Sequence, residues 1–264
     1  PSCTTEGKRT RTCTDDGCGH TEEMTLPARG RYWGIGRVTT LPTETTTGVR
    51  TYTCRTYGCN ATRTEEIPKL APRVPVSERF DDVAPNSWAY EDIQYCVDYE
   101  LMAGVGGGRF EPKTLTTRAQ LVQILYRLAG APEVRGETPF TDLTADRYKT
   151  AVLWAYQTGV VSGTSATTFA PDLPVTREQI AVILMGYAEK VLGVTRTWTP
   201  ADLSTFPDAG SVSGWAKDAL ADAVALGLIS GASNGGQTYL EPQGSATREQ
   251  VATILMEFCK NVKK

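Results

Sequence analysis

The chain has 264 residues, 40% of them hydrophobic and 22% charged, so it is long enough for a substantial core and for one to three domains. Its net charge is −3 with a pI near 5.4 and no basic run is present, which argues against a nucleic-acid partner. No apolar stretch approaches the length of a bilayer span, so we expect no membrane insertion. The first residues do not resemble a signal peptide, and we interpret the chain as the downstream piece of a longer protein.

The first seventy residues contain two copies of one pattern, and each copy predicts a β-hairpin. The motif Gly-x-Arg-Thr-x-Thr-Cys occupies residues 7–13 and again residues 48–54, and Thr and Glu follow a second cysteine in each copy. Alternating Thr, Arg and Glu suit a short hairpin with a polar face rather than a helix. We predict one Cys-rich β-ribbon unit over residues 1–28, a second over residues 29–70, and a Pro-containing linker over residues 71–78.

Each ribbon unit is too small to bury much surface, so a cross-link is expected. The candidate disulfide residues are Cys13, Cys18, Cys54 and Cys59. The alternative is a zinc site confined to the first copy, with the ligands Cys3, Cys13, Cys18 and His20. The second copy has Glu44 and Ala61 where the first has Cys3 and His20, so our prediction is that no metal and no cofactor are required. Disulfide, zinc and free thiols remain open, and an exported context favours the disulfide.

From Phe80 onward a second pattern occurs three times, which predicts a repeat architecture with copies over residues 79–136, 137–197 and 198–264. Each copy opens with Phe-x-Asp, and these acids are Asp82, Asp142 and Asp208. An apolar series at helical spacing follows and ends in a turn, for which we predict a glycine with positive φ. The turn glycines are Gly104, Gly163 and Gly231. A short extended piece ending in Pro completes the first half of each copy.

The second half of each copy begins with Thr-Arg-x-Gln, at residues 117–120, 176–179 and 247–250. A Thr three residues before a Gln at the head of an apolar helical run is a capping-box signature. The Arg that follows the cap stands beside the free N–H groups at the positive end of a helix, a combination that favours an anion. Three candidate anion sites follow, at Arg118, Arg177 and Arg248.

The order Phe-x-Asp, Trp-Ala, apolar helix, Gly, Phe-x-Pro and Thr-Arg-x-Gln in three tandem copies resembles the S-layer homology (SLH) domain family, over residues 78–264. The first units resemble the zinc-ribbon-like β-ribbon repeats of Gram-positive surface proteins. The SLH resemblance implies a mainly α, pseudo-threefold domain with a central three-helix bundle and radiating helices. It also implies non-covalent binding to secondary cell-wall polysaccharide, commonly through a terminal pyruvylated N-acetylmannosamine, in grooves between repeats.

The repeated residues suit such a ligand, which carries a fixed carboxylate on a sugar ring. The arginines could bind the carboxylate, the Asp residues could accept sugar hydroxyls, and the turn glycines could let the backbone approach the sugar. Trp88 and Trp215 offer flat apolar faces. In the middle copy Arg147 occupies the Trp position with Tyr148 after it, so we expect an altered or silent site. Structural alternatives are surface charges for the arginines, turn or cap roles for the acids and glycines, and core anchors for the tryptophans.

We predict no catalytic residues, because His20 is the only histidine and neither a phosphate-binding loop nor an HExxH motif occurs. Cys96 and Cys259 replace small core residues of other copies, so we expect buried thiols. The sequence therefore predicts an extracellular cell-wall or S-layer anchor whose export signal lies upstream. The alternatives are a module that binds a peptidoglycan-associated glycan or a neighbouring surface protein in a lattice, and a non-catalytic fragment of a surface enzyme.

Overall fold

The computed structural model describes residues 1–14, 17–56, 58–70 and 73–262. The chain divides into two compact units, Pro1–Ala71 and Pro72–Lys264. Small antiparallel sheets form the first unit, and helices with one short hairpin form the second. The predicted combination of small N-terminal sheets with a helix-rich repeat domain is confirmed. Val76, inside the segment predicted as a linker, is fully buried in the second unit.

The first unit contains two sheets, each built around one of the predicted hairpins. Strand β1 (Gly7–Thr12) pairs with β2 (Thr21–Leu26), and β4 (Gly48–Thr53) pairs with β5 (Thr62–Ile67) in the equivalent register. Strand β3 (Arg37–Thr40) joins the edge of β4. The repeat comparison did not predict β3 because this strand lies outside the stretch that the two copies share. Nearly all residues of β1 and β2 are exposed, so this hairpin buries little apolar surface.

The N-terminal segment of the first unit folds back towards the second copy of the ribbon pattern. The N–H of Ser2 donates to the carbonyl of Thr5, and the N–H of Arg29 donates to the carbonyl of Ser2, both at 2.9 Å. The segment after Arg29 runs beside β4, where Trp33 forms a β-bridge with Cys54. Cys3 is buried as a result.

The second unit consists of three helical repeats. Its helices are α1 (Val76–Arg79), α2 (Tyr90–Asp98), α3 (Arg118–Leu128), α4 (Asp146–Gln157), α5 (Arg177–Lys190), α6 (Lys217–Ala225) and α7 (Arg248–Asn261). A two-stranded hairpin, β6 (Ala232–Asn234) with β7 (Gln237–Tyr239), lies in the third repeat. Short 3-10 turns at Leu203–Thr205 and Ala209–Ser211 precede α6. Among the helices of the described residues, none combines the length and apolar character that crossing a bilayer requires.

The three predicted capping boxes are present and fix the starts of α3, α5 and α7. The hydroxyls of Thr117, Thr176 and Thr247 accept the N–H of Gln120, Gln179 and Gln250, and each Gln side chain accepts the N–H of its Thr. Each Thr has extended backbone angles, as an N-cap residue requires. This sequence prediction is therefore confirmed in all three copies.

Successive repeats are joined by the same helix pairing. The capped helix of each repeat packs against the first helix of the next, α3 against α4 and α5 against α6, and the third capped helix α7 packs against α2 of the first repeat. Ring contacts cross the core between repeats, with centroid distances of 5.6 Å from Tyr126 to Trp154 and 5.9 Å from Tyr187 to Phe258. Cys96 is fully buried and its thiol donates to the carbonyl of Ala252. Burial raises the pKa of Cys96, in agreement with the expected inert thiol.

The backbone segments before the three capped helices meet in a closed triangle of hydrogen bonds. Thr116 N–H donates to the carbonyl of Ala246 at 3.0 Å, Ala246 N–H to that of Val175 at 3.1 Å, and Val175 N–H to that of Thr116 at 2.9 Å. All three residues are fully buried. Buried backbone N–H and carbonyl groups need hydrogen-bond partners. Each of these three residues finds its partners in the other two repeats, so the bonds form only when all three repeats are folded together.

The prediction of positive φ is correct for Gly231, with φ of 84°, but wrong for Gly104 and Gly163. A Cβ on Gly104 would clash with the ring of Phe80, and one on Gly163 would clash with the ring of Phe140. These two glycines are therefore required by the packing of the Phe that opens their repeats, because a Cβ would occupy the position of the ring. The left-handed residues at the ends of the first helices are Glu100, Gly159 and Gly227.

Candidate functional site

The three arginines after the caps are buried at the junctions between repeats, with 6% or 7% of each residue exposed. Each guanidinium donates its Nε–H to a backbone carbonyl in the Phe-x-Pro segment (Leu-x-Pro in the third copy) of the following repeat. These bonds join Arg118 to Phe169 at 3.0 Å, Arg177 to Leu240 at 2.7 Å, and Arg248 to Phe110 at 2.8 Å. The arginines therefore lie between neighbouring repeats, and their donors hold the next repeat in position.

A carboxylate of the following repeat accompanies each buried guanidinium. Burial lowers the pKa of all three arginines, and the charge of Asp142 near Arg118, of Glu241 near Arg177 and of Glu111 near Arg248 opposes that shift. An arginine stays protonated in such a site. Two of the guanidiniums also lie over aromatic rings, Arg118 at 4.9 Å from Phe169 and Arg248 at 4.5 Å from Phe110.

The helix N-termini predicted to bind an anion are already occupied. In α3 the N–H of Arg118 donates to the carbonyl of Leu173, and the N–H of Ala119 donates to that of Pro171, both at 3.0 Å. The next N–H, that of Gln120, donates to the capping Thr117. The first residues of α5 and α7 make the equivalent bonds to the following repeat. The helix-end part of the predicted anion site is therefore wrong, because backbone carbonyls of the neighbouring repeat take the N–H groups.

The three predicted Asp residues clamp the loop that the arginines contact. Both carboxylate oxygens accept backbone N–H groups of two consecutive residues, at 2.7 to 2.9 Å. The pairs are Phe110 and Glu111 for Asp82, Phe169 and Ala170 for Asp142, and Leu240 and Glu241 for Asp208. Partial burial opposes ionisation, but these bonds lower the pKa of Asp82 and of Asp142 below the usual carboxyl range.

The second residue of each clamped pair has a left-handed backbone although none is glycine. The φ angles are 57° at Glu111, 60° at Ala170 and 47° at Glu241. A non-glycine residue costs energy in this region, and such strain persists only where surrounding contacts hold it. Sequence reasoning missed these residues because Glu and Ala carry no mark of positive φ.

The aromatic residues of the three copies differ in exposure. Trp88 and Trp215 are each 60% exposed, which excludes the core-anchor alternative and leaves their faces accessible. Tyr148 is only 9% exposed and its ring lies 4.7 Å from the guanidinium of Arg147. The middle repeat thus presents an arginine over a buried ring where the others present an open indole.

An open cavity of about 500 Å³ lies in the first repeat. Its lining includes the charged residues Arg79, Glu100 and Arg127 together with Phe80 and Gly104. Ala103 also lines it, and the carbonyl of Ala103 accepts an Nη2 hydrogen bond of 2.7 Å from Arg248, so that guanidinium lies directly behind the cavity wall. Sequence comparison missed Arg79 and Arg127 because neither recurs in the other two repeats.

In the first unit, the sulfur atoms do not gather as the sequence predicted. Within the described residues one cluster of three metal-ligating side chains occurs, and its members are Cys3, Cys54 and Cys59. The set Cys3, Cys13, Cys18 and His20 is therefore not assembled, because the N-terminal segment places Cys3 beside the second copy. The four disulfide candidates are thiols in the structure, so their pairing stays a prediction. A hydrogen bond from Cys13 lowers the pKa of Cys18.

Together these features define a three-repeat helical domain in which a buried arginine and an Asp-clamped loop recur at each junction of the copies. Exposed indole rings are added in the first and third copies. The chain belongs to the S-layer homology domain family, whose model matches residues 79–122, 139–181 and 205–252. The three matches coincide with the three repeats of the second unit. The first unit lies outside them.

Similar proteins include surface-layer proteins and an endoglucanase. The chain is 35% identical over 178 residues to the surface-layer 125 kDa protein of Lysinibacillus sphaericus, covering 67% of this chain and 14% of that protein. It is 32% identical over 179 residues to an endoglucanase of Bacillus sp. (strain KSM-635), covering 67% of this chain and 18% of that enzyme. It is 25% identical over 192 residues to the S-layer protein sap of Bacillus anthracis, covering 72% of this chain and 22% of that protein. The chain thus spans less than a quarter of each of these relatives.

Proposed function

We propose that this chain anchors a bacterial surface protein to the cell wall by non-covalent binding of an anionic, pyruvylated secondary cell-wall polysaccharide. Relatives as different as a surface-layer protein and an endoglucanase share a similar stretch that makes up less than a fifth of each. A common attachment role accounts for this sharing, whereas a shared catalytic role does not. The chain would then be located at the wall surface, and we predict no turnover by this fragment alone.

The contacts between repeats support a pseudo-threefold arrangement with the capped helices at its centre. The helix pairs and the Arg-to-carbonyl bonds run from the first repeat to the second, the second to the third, and the third to the first. The backbone triangle links the same three pairs of repeats, with its N–H groups donating in the opposite sense. In such an arrangement each junction would form one groove, and the three grooves would differ mainly in their exposed side chains.

The groove of the first repeat is the one we favour for the ligand. A pyruvyl ketal holds one carboxylate at a fixed place on a sugar, so its site needs positive charge beside a space the size of a sugar. The cavity in this repeat has that volume and carries two arginines, Arg79 and Arg127, and one carboxylate, Glu100, on its lining, with the buried charge of Arg248 behind it. The coincidence of a cavity with this excess of positive charge is the observation that carries the proposal.

The other predicted residues take roles that their contacts suggest. The guanidiniums of Arg118, Arg177 and Arg248 act mainly through their positive charge and by holding the groove wall, because their Nε donors are used within the protein. The Asp residues keep the loop shape that the groove requires. Trp88 provides an accessible face on which a sugar ring can pack. The middle repeat, with Arg147 over a buried Tyr148, is expected to bind weakly or not at all.

Co-sedimentation with purified wall sacculi tests this function. The arms are native sacculi that carry pyruvylated polysaccharide, sacculi depyruvylated by mild acid, and peptidoglycan stripped of polysaccharide. We expect the chain to sediment only with the first. The double variant Arg79→Ala/Arg127→Ala should lose at least about tenfold in affinity, a change of about 1.4 kcal/mol. The control Arg135→Ala removes an 87% exposed arginine side chain of the same repeat and should bind normally.

Two outcomes would contradict the proposal. Equal sedimentation with native and depyruvylated sacculi would show that the carboxylate is not recognised. Retention by stripped peptidoglycan, or assembly of the chain without any wall, would favour the alternative of a lattice-forming or peptidoglycan-associated module.

A further inference from the structure

Three cysteine thiols of the first unit converge although they come from distant parts of its sequence. The sulfur atoms of Cys3, Cys54 and Cys59 all lie within 4.8 Å of one another, and the distance between the Sγ atoms of Cys3 and Cys54 is 3.7 Å. Cys3 and Cys54 are 7% and 4% exposed, and Cys59 is partly buried. Fifty-one residues separate Cys3 from Cys54, so the cluster joins the N-terminal segment to the second hairpin.

Local backbone contacts hold each thiol in place. The turn over Ser2 and Thr5 is attached to Arg29, which positions Cys3. Cys54 directly follows strand β4 and forms an antiparallel β-bridge with Trp33. The N–H of Cys59 donates to the carbonyl of Thr56 at 2.9 Å, which closes the turn that brings the second cysteine of the pair back. The site is therefore built by ordered backbone rather than by chance proximity of flexible side chains.

The spacing of the sulfur atoms suits a shared cation better than a covalent bond. A disulfide needs a sulfur–sulfur distance of about 2.05 Å. Zinc–sulfur bonds of about 2.3 Å in tetrahedral geometry place neighbouring sulfurs about 3.8 Å apart, close to the distance between Cys3 and Cys54.

We propose that Cys3, Cys54 and Cys59 form a three-thiolate site for a thiophilic divalent cation such as Zn²⁺, with water as the fourth ligand. The cation would cross-link the two ribbon copies and replace the hydrophobic core that the exposed strands lack. In this assignment Cys3 binds with the cysteine pair of the second copy and not with Cys13 and Cys18 of its own copy. The proposal does not depend on binding of the wall by the three repeats.

Titration of the reduced full chain with Co²⁺ tests the site, because thiolate–Co²⁺ charge-transfer and tetrahedral d–d bands report both the ligand type and the geometry. We expect one tight equivalent that Zn²⁺ displaces. Cys3→Ser and Cys59→Ser should each raise the apparent Kd at least about 100-fold, since losing a ligand should cost at least as much as losing an outer-shell partner. The matched control Cys13→Ser/Cys18→Ser removes the other pair and should keep the tight equivalent.

Folding is monitored independently by the β-sheet circular dichroism of each variant. Cys59→Ser is the more informative change because Cys59 is the least buried of the three. The proposal is overturned if Cys3→Ser retains the wild-type affinity and spectrum, if the reduced chain binds no Co²⁺ tightly, or if the control pair proves to be the tight site. It is also overturned if protein exported without reductant carries a disulfide between Cys3 and either partner, by peptide mass.

Discussion

Replacing Arg177 with Ala tests whether the buried guanidiniums hold neighbouring repeats together. Arg177 is the cleanest of the three because its acceptor is Leu240, so no ring contact complicates the result. The change removes a charge-assisted hydrogen bond of 2.7 Å, worth about 1.5 to 3 kcal/mol. It also removes two buried methylenes at about 0.8 kcal/mol each. We expect a loss of about 3 to 5 kcal/mol in the free energy of unfolding.

Equilibrium urea unfolding followed by helical circular dichroism measures this loss in the repeat domain, because the helices of the described residues all lie in the second unit. Arg177→Lys keeps the stem and the charge but not the planar fork, so it should lose roughly half as much. The control Arg135→Ala should stay within about 0.5 kcal/mol of wild type. If Arg177→Ala unfolds at the wild-type urea midpoint with an unchanged slope, the inter-repeat role of the arginines is refuted.

Three further changes test the loop clamp, its pH dependence and the helix caps. Asp142→Ala leaves two backbone N–H groups without their charged acceptor while Ala170 stays strained, so urea unfolding should show a loss of about 3 kcal/mol, and a loss below 1 would contradict the clamp. The folded pKa of Asp82 and of Asp142 lies below the ordinary value of 3.8, so their contribution is complete above that pH and is lost as pH falls through the folded pKa. Acid unfolding of Asp142→Asn should therefore depend less steeply on pH than that of wild type, and parallel curves would count against this assignment. Thr247→Ala removes the cap of α7 and should lower stability by about 1 kcal/mol in the same urea assay, whereas an unchanged midpoint would mean that the cap contributes nothing.

Much of the repeat domain could be predicted from sequence because its signals are local and occur three times. The capping boxes at Thr117, Thr176 and Thr247 need only a hydroxyl and an amide three residues apart, and all three formed as predicted. The two ribbon hairpins likewise follow from alternating side chains around a cysteine pair.

The predicted site was less accurate because its residues are shared across repeats. Sequence shows that an arginine follows each cap but cannot show that the backbone carbonyls of another repeat occupy the adjacent N–H groups. The same limit applies to Cys3. The repeat pattern grouped its thiol with those of Cys13 and Cys18 as possible zinc ligands, whereas the fold places it beside Cys54 and Cys59 of the second copy. Contacts between distant segments decided both cases.

The cavity with Arg79 and Arg127 could not be found by comparing copies, because neither arginine recurs in the other two repeats. Comparing the copies identifies the residues that they share, and here these are the capping Thr and Gln, the buried Arg and the clamping Asp, which hold the fold together. Ligand specificity can depend on what distinguishes one copy from another, and only the arrangement of side chains in space reveals that.

Calorimetric titration with a disaccharide that ends in pyruvylated N-acetylmannosamine tests the central claim most directly. Wild type should bind, Trp88→Ala should bind about tenfold more weakly through loss of ring stacking, and Arg79→Ala/Arg127→Ala should bind at least about tenfold more weakly through loss of charge. Arg135→Ala should match wild type, and the same disaccharide without pyruvate should not bind. Equal affinities across all four proteins, or equal binding of the disaccharide without pyruvate, would contradict the claim that the first repeat recognises an anionic wall glycan.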